Sequence, residues 1–133
     1  MTPLFADTFY YLALVNEDDE AHADTLAFAE GRAAPTMTTA WVLTEVADAL
    51  CAPEDRGQFL GLLEALRADL RCTVVPASQT LFEQGVAFYA ERPDKEWSLT
   101  DCISFVVMKE HGITDALTAD HPFEQAGFKI LLK

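Results

Sequence analysis

The sequence predicts an α/β domain with a central, mostly parallel sheet and helices packed on both faces, and three observations carry that expectation. Short β-like runs alternate along the chain with helix-length stretches. Half of the 133 residues are hydrophobic and 11% are aromatic, which supplies the apolar surface for a core. No stretch reads as a linker or a repeat, and a chain of this length suits one domain, taken here as residues 1–133.

The elements follow in order. Leu4-Phe5-Ala6 is a short apolar run ended by Asp7, and a helix-compatible stretch follows through Leu14. Residues 17–20 form a solvated acidic turn. A helix is expected over 21–30, with Gly31 as its C-terminal cap. Residues 35–38 suit a strand, and Thr38 or Thr39 can cap a helix over 41–50. A further helix is expected over 54–70, with Pro53 near its first turn. The β-branched run Cys72–Val75 reads as a strand closed by Pro76. Ser78 then caps a helix reaching about Arg92, where Pro93 stops it. Ser98 opens the next helix, over 99–110, and Gly112 signals its end. Residues 116–118 suit a strand, 123–126 a short helix and 128–132 a last strand. In parallel sheets of this kind, ligands bind outside the carboxyl ends of the strands.

Composition excludes several classes. Nine basic against 22 acidic side chains give 9 − 22 = −13, a charge that disfavours a polyanionic partner unless something offsets it locally. Three cysteines, odd in number, make no disulfide scaffold. Cys51, Cys72 and Cys102 read as reduced, mostly buried thiols whose spacing matches no zinc ribbon. The longest apolar run, residues 9–15, falls far short of the roughly 18 residues of a membrane span. The N-terminus lacks a cationic export signal, so a cytoplasmic protein is expected.

Most of the acids belong on solvated helix faces. Four are placed differently. Asp7 directly follows the first strand, where an Asp is also an ordinary helix N-cap. Glu45 falls on the same side of its helix as Trp41, Val42, Val46 and Ala49, which turns a carboxylate toward the core side. Asp101 stands three residues after Ser98, the spacing of a capping box, yet it is also the only charge on about ten residues of an otherwise apolar helix. Asp120 follows the late strand and precedes His121-Pro122, which is standard helix-start chemistry. A parallel sheet would bring Asp7 and Asp120 to one edge, with Glu45 and Asp101 offered by helices packed on it. Asp115 is left out of this set as a solvent-facing residue one turn before the strand.

Like charges 4 Å apart cost on the order of 4 kcal/mol at an effective dielectric near 20, so such a cluster requires protons or a cation. Hard oxygen ligands without His or Cys select Mg²⁺ or Mn²⁺ over zinc. A divalent cation at a strand edge serves phosphate chemistry. Nothing in the set is a covalent nucleophile, which points to direct hydrolysis.

The Asp7-Thr8 strand end, the Thr44-Glu45-Val46 helix, Ser98-Leu-Thr-Asp101-Cys-Ile-Ser104-Phe-Val-Val-Met108 and Leu117-Thr-Ala-Asp120-His-Pro-Phe123-Glu-Gln-Ala-Gly-Phe128 resemble PIN-domain proteins. Among these the resemblance is to the VapC-type ribonuclease toxins, and it covers almost the whole chain in order. It implies a PIN-like three-layer fold, with Asp7, Glu45, Asp101 and Asp120 as the acidic quartet that binds Mg²⁺ or Mn²⁺ and cleaves RNA. Thr8 and Thr118 would orient those carboxylates. The resemblance further implies a structured RNA substrate such as transfer or ribosomal RNA, a homodimer, and a cognate antitoxin whose tail enters the acidic groove with a basic side chain.

Other readings fit less well. A phospho-accepting receiver domain needs a second acid beside Asp7 and a Lys after a late strand, whereas Thr8 and Asp120 stand there. Haloacid-dehalogenase chemistry needs Asp-x-Asp, and position 9 is Phe. A PIN-like module that only binds RNA or protein remains as the alternative. Arg92 and Lys95, just before the Asp101 helix, read as ordinary solubilising charge. Trp41 and Trp97 read as packing residues, and His22, His111 and His121 match no ligand spacing.

Overall fold

The structure, a computed structural model, describes residues 2–31 and 34–132. Five strands, Leu4–Ala6 (β1), Thr36–Thr39 (β2), Cys72–Val75 (β3), Asp115–Leu117 (β4) and Lys129–Ile130 (β5), pair in the order β3-β2-β1-β4-β5. Every pairing is parallel; Phe5 aligns with Met37 on one side and with Ala116 on the other. The helices are Thr8–Val15 (α1), His22–Gly31 (α2), Ala40–Ala49 (α3), Arg56–Ala68 (α4), Gln79–Glu91 (α5), Leu99–Glu110 (α6) and His121–Gln125 (α7). The chain runs outward from β1 to β3, then returns past β1 to β4 and β5. Right-handed crossovers therefore set the helices of the two legs on opposite faces, and the order reverses between β1 and β4.

Local chemistry accounts for the boundaries. The Thr39 hydroxyl accepts from the Val42 amide and starts α3, and the Ser78 hydroxyl accepts from the Leu81 amide and starts α5. Helix α6 carries a complete capping box between Ser98 and Asp101, and Gly112, at φ 65°, turns the chain out of it. The body of α6 is interior: Cys102, Ile103, Ser104, Phe105, Val107 and Met108 are all buried. Phe105 is the hub of an aromatic cluster, with its ring centroid 5.1 Å from that of Trp97 and 4.9 Å from that of Phe123, both edge-on. Edge-to-face pairs add about 0.5–1.5 kcal/mol each beyond the area they bury.

Several expectations are corrected. Gly31 lies within α2 and has no left-handed φ, so it is not the cap. Helix α4 is shorter than 54–70. It starts after a turn in which the Asp55 amide bonds the Ala52 carbonyl, and it stops where Asp69 turns extended and accepts from the Arg71 amide. Asp115 lies inside β4, not a turn before it, and its carboxylate accepts from the Thr114 hydroxyl. Helix α7 begins at His121, directly after Asp120, not at 123. The last strand shrinks to two residues because Gly127, at φ 96°, holds Phe128 in a turn whose amide bonds the Phe123 carbonyl. The thiols are free, but only Cys102 is buried: Cys72 is half-buried and Cys51 is exposed in the α3–α4 turn. Among the described residues no helix is long and apolar enough to cross a membrane.

Helices α5 and α6 approach closely at Gly85, where a Cβ would meet the Ile103 Cγ1 atom at 2.3 Å. Ile103 is fully buried and cannot swing aside. Gly85→Val should therefore lower stability by about 1–3 kcal/mol, read as the midpoint of urea unfolding. An unchanged midpoint would show that this interface has slack.

Candidate active site

At the reversal between β1 and β4, Asp7 and Asp120 follow the two strands, Asp101 lies within electrostatic range of both, and Glu45 lies within range of Asp101. Asp7 follows β1 and is 2% exposed. Its amide bonds the Leu117 carbonyl at 3.4 Å, which ties the ends of β1 and β4 together. Asp7 and Asp120 occupy the N-cap positions of α1 and α7, yet neither side chain makes a capping bond. The ordinary reading of these two residues as helix caps thus fails, and both carboxylates are left for other work. The two are linked by Thr118, which is fully buried: its hydroxyl donates to Asp7 Oδ2 at 3.1 Å and accepts from the Asp120 amide at 3.0 Å.

The other two acids arrive on helices. Glu45 is half-buried on α3, and its Oε1 accepts from the Thr8 hydroxyl at 2.5 Å. Helix α6 meets α3, which brings Asp101 within electrostatic range of Glu45. Asp101 does cap its helix, with Oδ2 accepting from the Ser98 amide at 3.1 Å while the Asp101 amide donates to Ser98 Oγ at 3.0 Å. Capping and membership of the acidic set are not alternatives: the capping box fixes the direction in which the carboxylate points. Ser98 is therefore an orienting residue that the sequence reading treated only as a cap. A carboxylate has about four acceptor sites, so one or two such bonds orient it without saturating it.

Electrostatics shows the convergence. Burial pushes the Asp7 carboxyl up from its ordinary 3.8 to about 8, and the negative charges of Asp101 and Asp120 push the same way, against the Thr8 amide and the Thr118 hydroxyl. Burial likewise raises Asp101; its bonds to Ser98 oppose this, and Glu45 and Asp120 add to the rise. Among the described residues, no Lys, Arg or His pairs with any of the four.

The convergence is looser than the sequence reading had it. Among the described residues, no three His, Cys, Asp or Glu side chains stand as a ready metal-holding group. Three of the four carboxylates instead take hydroxyl or amide partners: Asp7 accepts from Thr118, Glu45 from Thr8 and Asp101 from Ser98. The donor set nevertheless fits a hard divalent cation, being all carboxylate oxygen around a buried Asp7 that no cation compensates. Trp97 is closed to any ligand role for its ring: it is 5% exposed, and its Nε1 donates to Gln125 Oε1 at 2.9 Å. Trp41 is half-buried against the core.

Comparison with known proteins gives a consistent result. The family model for the PIN domain matches residues 4–129. The chain is 28% identical over 125 residues to the 23S rRNA-specific endonuclease VapC20 of Mycobacterium tuberculosis H37Rv, covering 94% of this chain and 95% of that one. The crystal structure of M. tuberculosis VapC20, a sarcin-ricin loop cleaving toxin, superposes with a TM-score of 0.84 at 27% identity, over 94% of this chain and 95% of that one. The DNA-bound VapBC of Salmonella typhimurium gives a TM-score of 0.67 at 16% identity over 98% of both chains, a likeness of fold.

A pH dependence follows from Asp7. The folded state keeps a proton that the unfolded chain releases near 3.8, so the metal-free protein loses stability as pH rises from there through about 8, and Asp101 contributes in the same sense. Asp7→Asn removes the larger share. The midpoint of urea unfolding should fall between pH 5 and pH 8 in the parent and fall less in the variant, which should be the more stable at pH 8. Identical pH profiles would mean that Asp7 ionises freely in the fold.

Proposed function

Because the chain belongs to the PIN-domain family, we propose that it is a metal-dependent endoribonuclease, the toxin of a toxin–antitoxin pair, acting as one domain over residues 1–133. The observation that carries this reading is a buried Asp7 at the point where the strand order reverses, joined to Asp120 through the Thr118 hydroxyl, with Asp101 close enough to raise its proton affinity. Those four residues would hold Mg²⁺ or Mn²⁺. When bound, the cation supplies Lewis-acid polarisation of a phosphoryl oxygen and a water of lowered pKa.

The chain's own residues do the rest. Thr8 and Thr118 hold the Glu45 and Asp7 carboxylates in place, and Ser98 holds Asp101. Burial holds the Asp7 carboxyl up at about 8, so near neutral pH it would have to lose its proton to hold a cation. Among the described residues the nearest thiol in sequence, Cys102, is buried, burial and Asp101 push its pKa up, and the hydroxyls of Thr8 and Thr118 are engaged with carboxylates. Water is therefore the attacking group, and RNA is hydrolysed directly.

The relatives support finer points. VapC20 is named for 23S rRNA, which favours ribosomal over transfer RNA as the substrate class here. The VapBC complexes among the structural neighbours favour a cognate antitoxin bound at the acidic groove. A homodimer and a cytoplasmic location complete the reading.

Asp7→Asn and Asp101→Asn should each abolish cleavage of ribosomal RNA while the fold persists. In thermal unfolding, Mg²⁺ or Mn²⁺ at one hundred times its dissociation constant should stabilise the parent by about 2.7 kcal/mol, an increment both variants lose. Thr118→Val should weaken metal affinity about 10–100-fold. Full activity in either Asp variant would reject the assignment.

A further inference from the structure

A second feature lies beside the carboxylates. A cavity of about 320 Å³ opens between the end of α5 and the start of α6, lined by Tyr89, Arg92, Pro93, Lys95, Trp97 and Cys102. Cys102 directly follows Asp101 on α6, so the cavity and that carboxylate lie on the same helix turn, on faces about 100° apart. Its lining differs in kind from the acidic cleft: two cations and an aromatic ring that is 53% exposed, that of Tyr89.

The cations are positioned, not loose. The Arg92 guanidinium lies 5.1 Å from the centroid of the Trp97 ring, and that ring is locked by Phe88, Phe105 and its bond to Gln125. Asp94 takes hydrogen bonds from Arg92 Nε and Nη2 at 3.1 and 3.2 Å, two of the five donors an Arg carries. Lys95 Nζ stands 3.9 Å from the same carboxylate. The cavity lining itself holds these two cations and no carboxylate, although Glu91, Asp94 and Glu96 flank them in the sequence, on a chain whose total charge is −13. Ordered cations with donors to spare, next to an accessible ring, form the combination that recognises single-stranded nucleic acid, where phosphates meet Arg and Lys and bases stack on aromatics.

We propose that the Tyr89–Arg92–Lys95 cavity is a nucleotide subsite that grips RNA beside the cleavage centre, with Arg92 and Lys95 on a flanking phosphate and the Tyr89 ring against a base. The inference rests on the ribonuclease reading, and it explains how so acidic a chain engages RNA: the lining of this cavity offers two cations and no carboxylate. Asp94 acts there as a restraint that orients Arg92 and moderates the affinity.

The test is fluorescence anisotropy with a labelled single-stranded RNA decamer in Mg²⁺, with Asp120→Asn in every protein so that the strand stays intact. R92A/K95A should weaken binding at least tenfold and flatten the dependence of log K on log salt by about 1.4, two contacts at about 0.7 each. Tyr89→Ala should weaken binding without changing that slope, and Tyr89→Phe should restore it. Asp94→Asn should tighten binding, an outcome that misfolding cannot mimic. Unchanged affinity and slope in R92A/K95A would overturn the proposal, and so would loss of binding to a poly-glutamate peptide with RNA binding intact, which would mark a site for acidic protein. These outcomes are separable from the ribonuclease reading, which fails instead if the otherwise unsubstituted protein shows no thermal shift with Mg²⁺ or if the Asp120→Asn protein still cuts RNA.

Discussion

A carboxylate buried without a cation to balance it is the constraint on which the rest of this structure turns. Asp7 sits at 2% exposure, at the end of the central strand, beside two further acids that raise its proton affinity. Burial of an ionised carboxylate with no partner costs far more than a hydrogen bond returns, so the group stays protonated or acquires a counterion. The fold holds it there through parts that are costly to move: the amide bond to Leu117 across the sheet, the Thr118 hydroxyl beneath it, and the α6 helix, which is interior over most of its length. A divalent cation held there, as proposed, would relieve that cost and couple binding to folding, with proton and metal competing near neutral pH.

Much of this was legible in the sequence, and for identifiable reasons. Helix starts at Thr39, Ser78 and Ser98 carry their own chemistry in a side-chain hydroxyl, and the strand at Cys72–Val75 ends on a proline, so local rules suffice. Alternating strands and helices point to a parallel sheet, and with it the edge that Asp7 and Asp120 share, whereas the reversal of strand order is visible only in the structure. What was not legible depended on tertiary geometry. Whether Asp7 caps its helix, whether Gly31 ends one, and where α4 stops are decided by competing hydrogen bonds that a single sequence does not rank. The exposure of Cys51 follows from the path of a turn, not from the residue's apolar character. How closely the four carboxylates approach depends on side-chain partners such as Thr8, Thr118 and Ser98, which sequence spacing does not rank.

The two readings of Asp101 show why sequence patterns undercount function. A capping box is normally evaluated as local stability, about 1 kcal/mol of helix-end hydrogen bonding. Here the same two bonds fix the azimuth of a carboxylate that also acts electrostatically on Asp7. Structural and chemical duties fall on one group, so removing Ser98 would disturb both. The charge distribution follows the same economy. The chain carries 22 acids against 9 bases, and two of those bases, Arg92 and Lys95, line a single cavity between α5 and α6.

The claim that most of this depends on is that a divalent cation replaces the proton on Asp7. Calorimetric titration of Mn²⁺ into the protein near pH 7, in two buffers of different ionisation enthalpy, measures that exchange directly. The expected result is binding accompanied by net proton release, with the released fraction falling when Asp7 becomes Asn. Binding with no proton exchange, or with the same release from the Asp7→Asn variant, would contradict it.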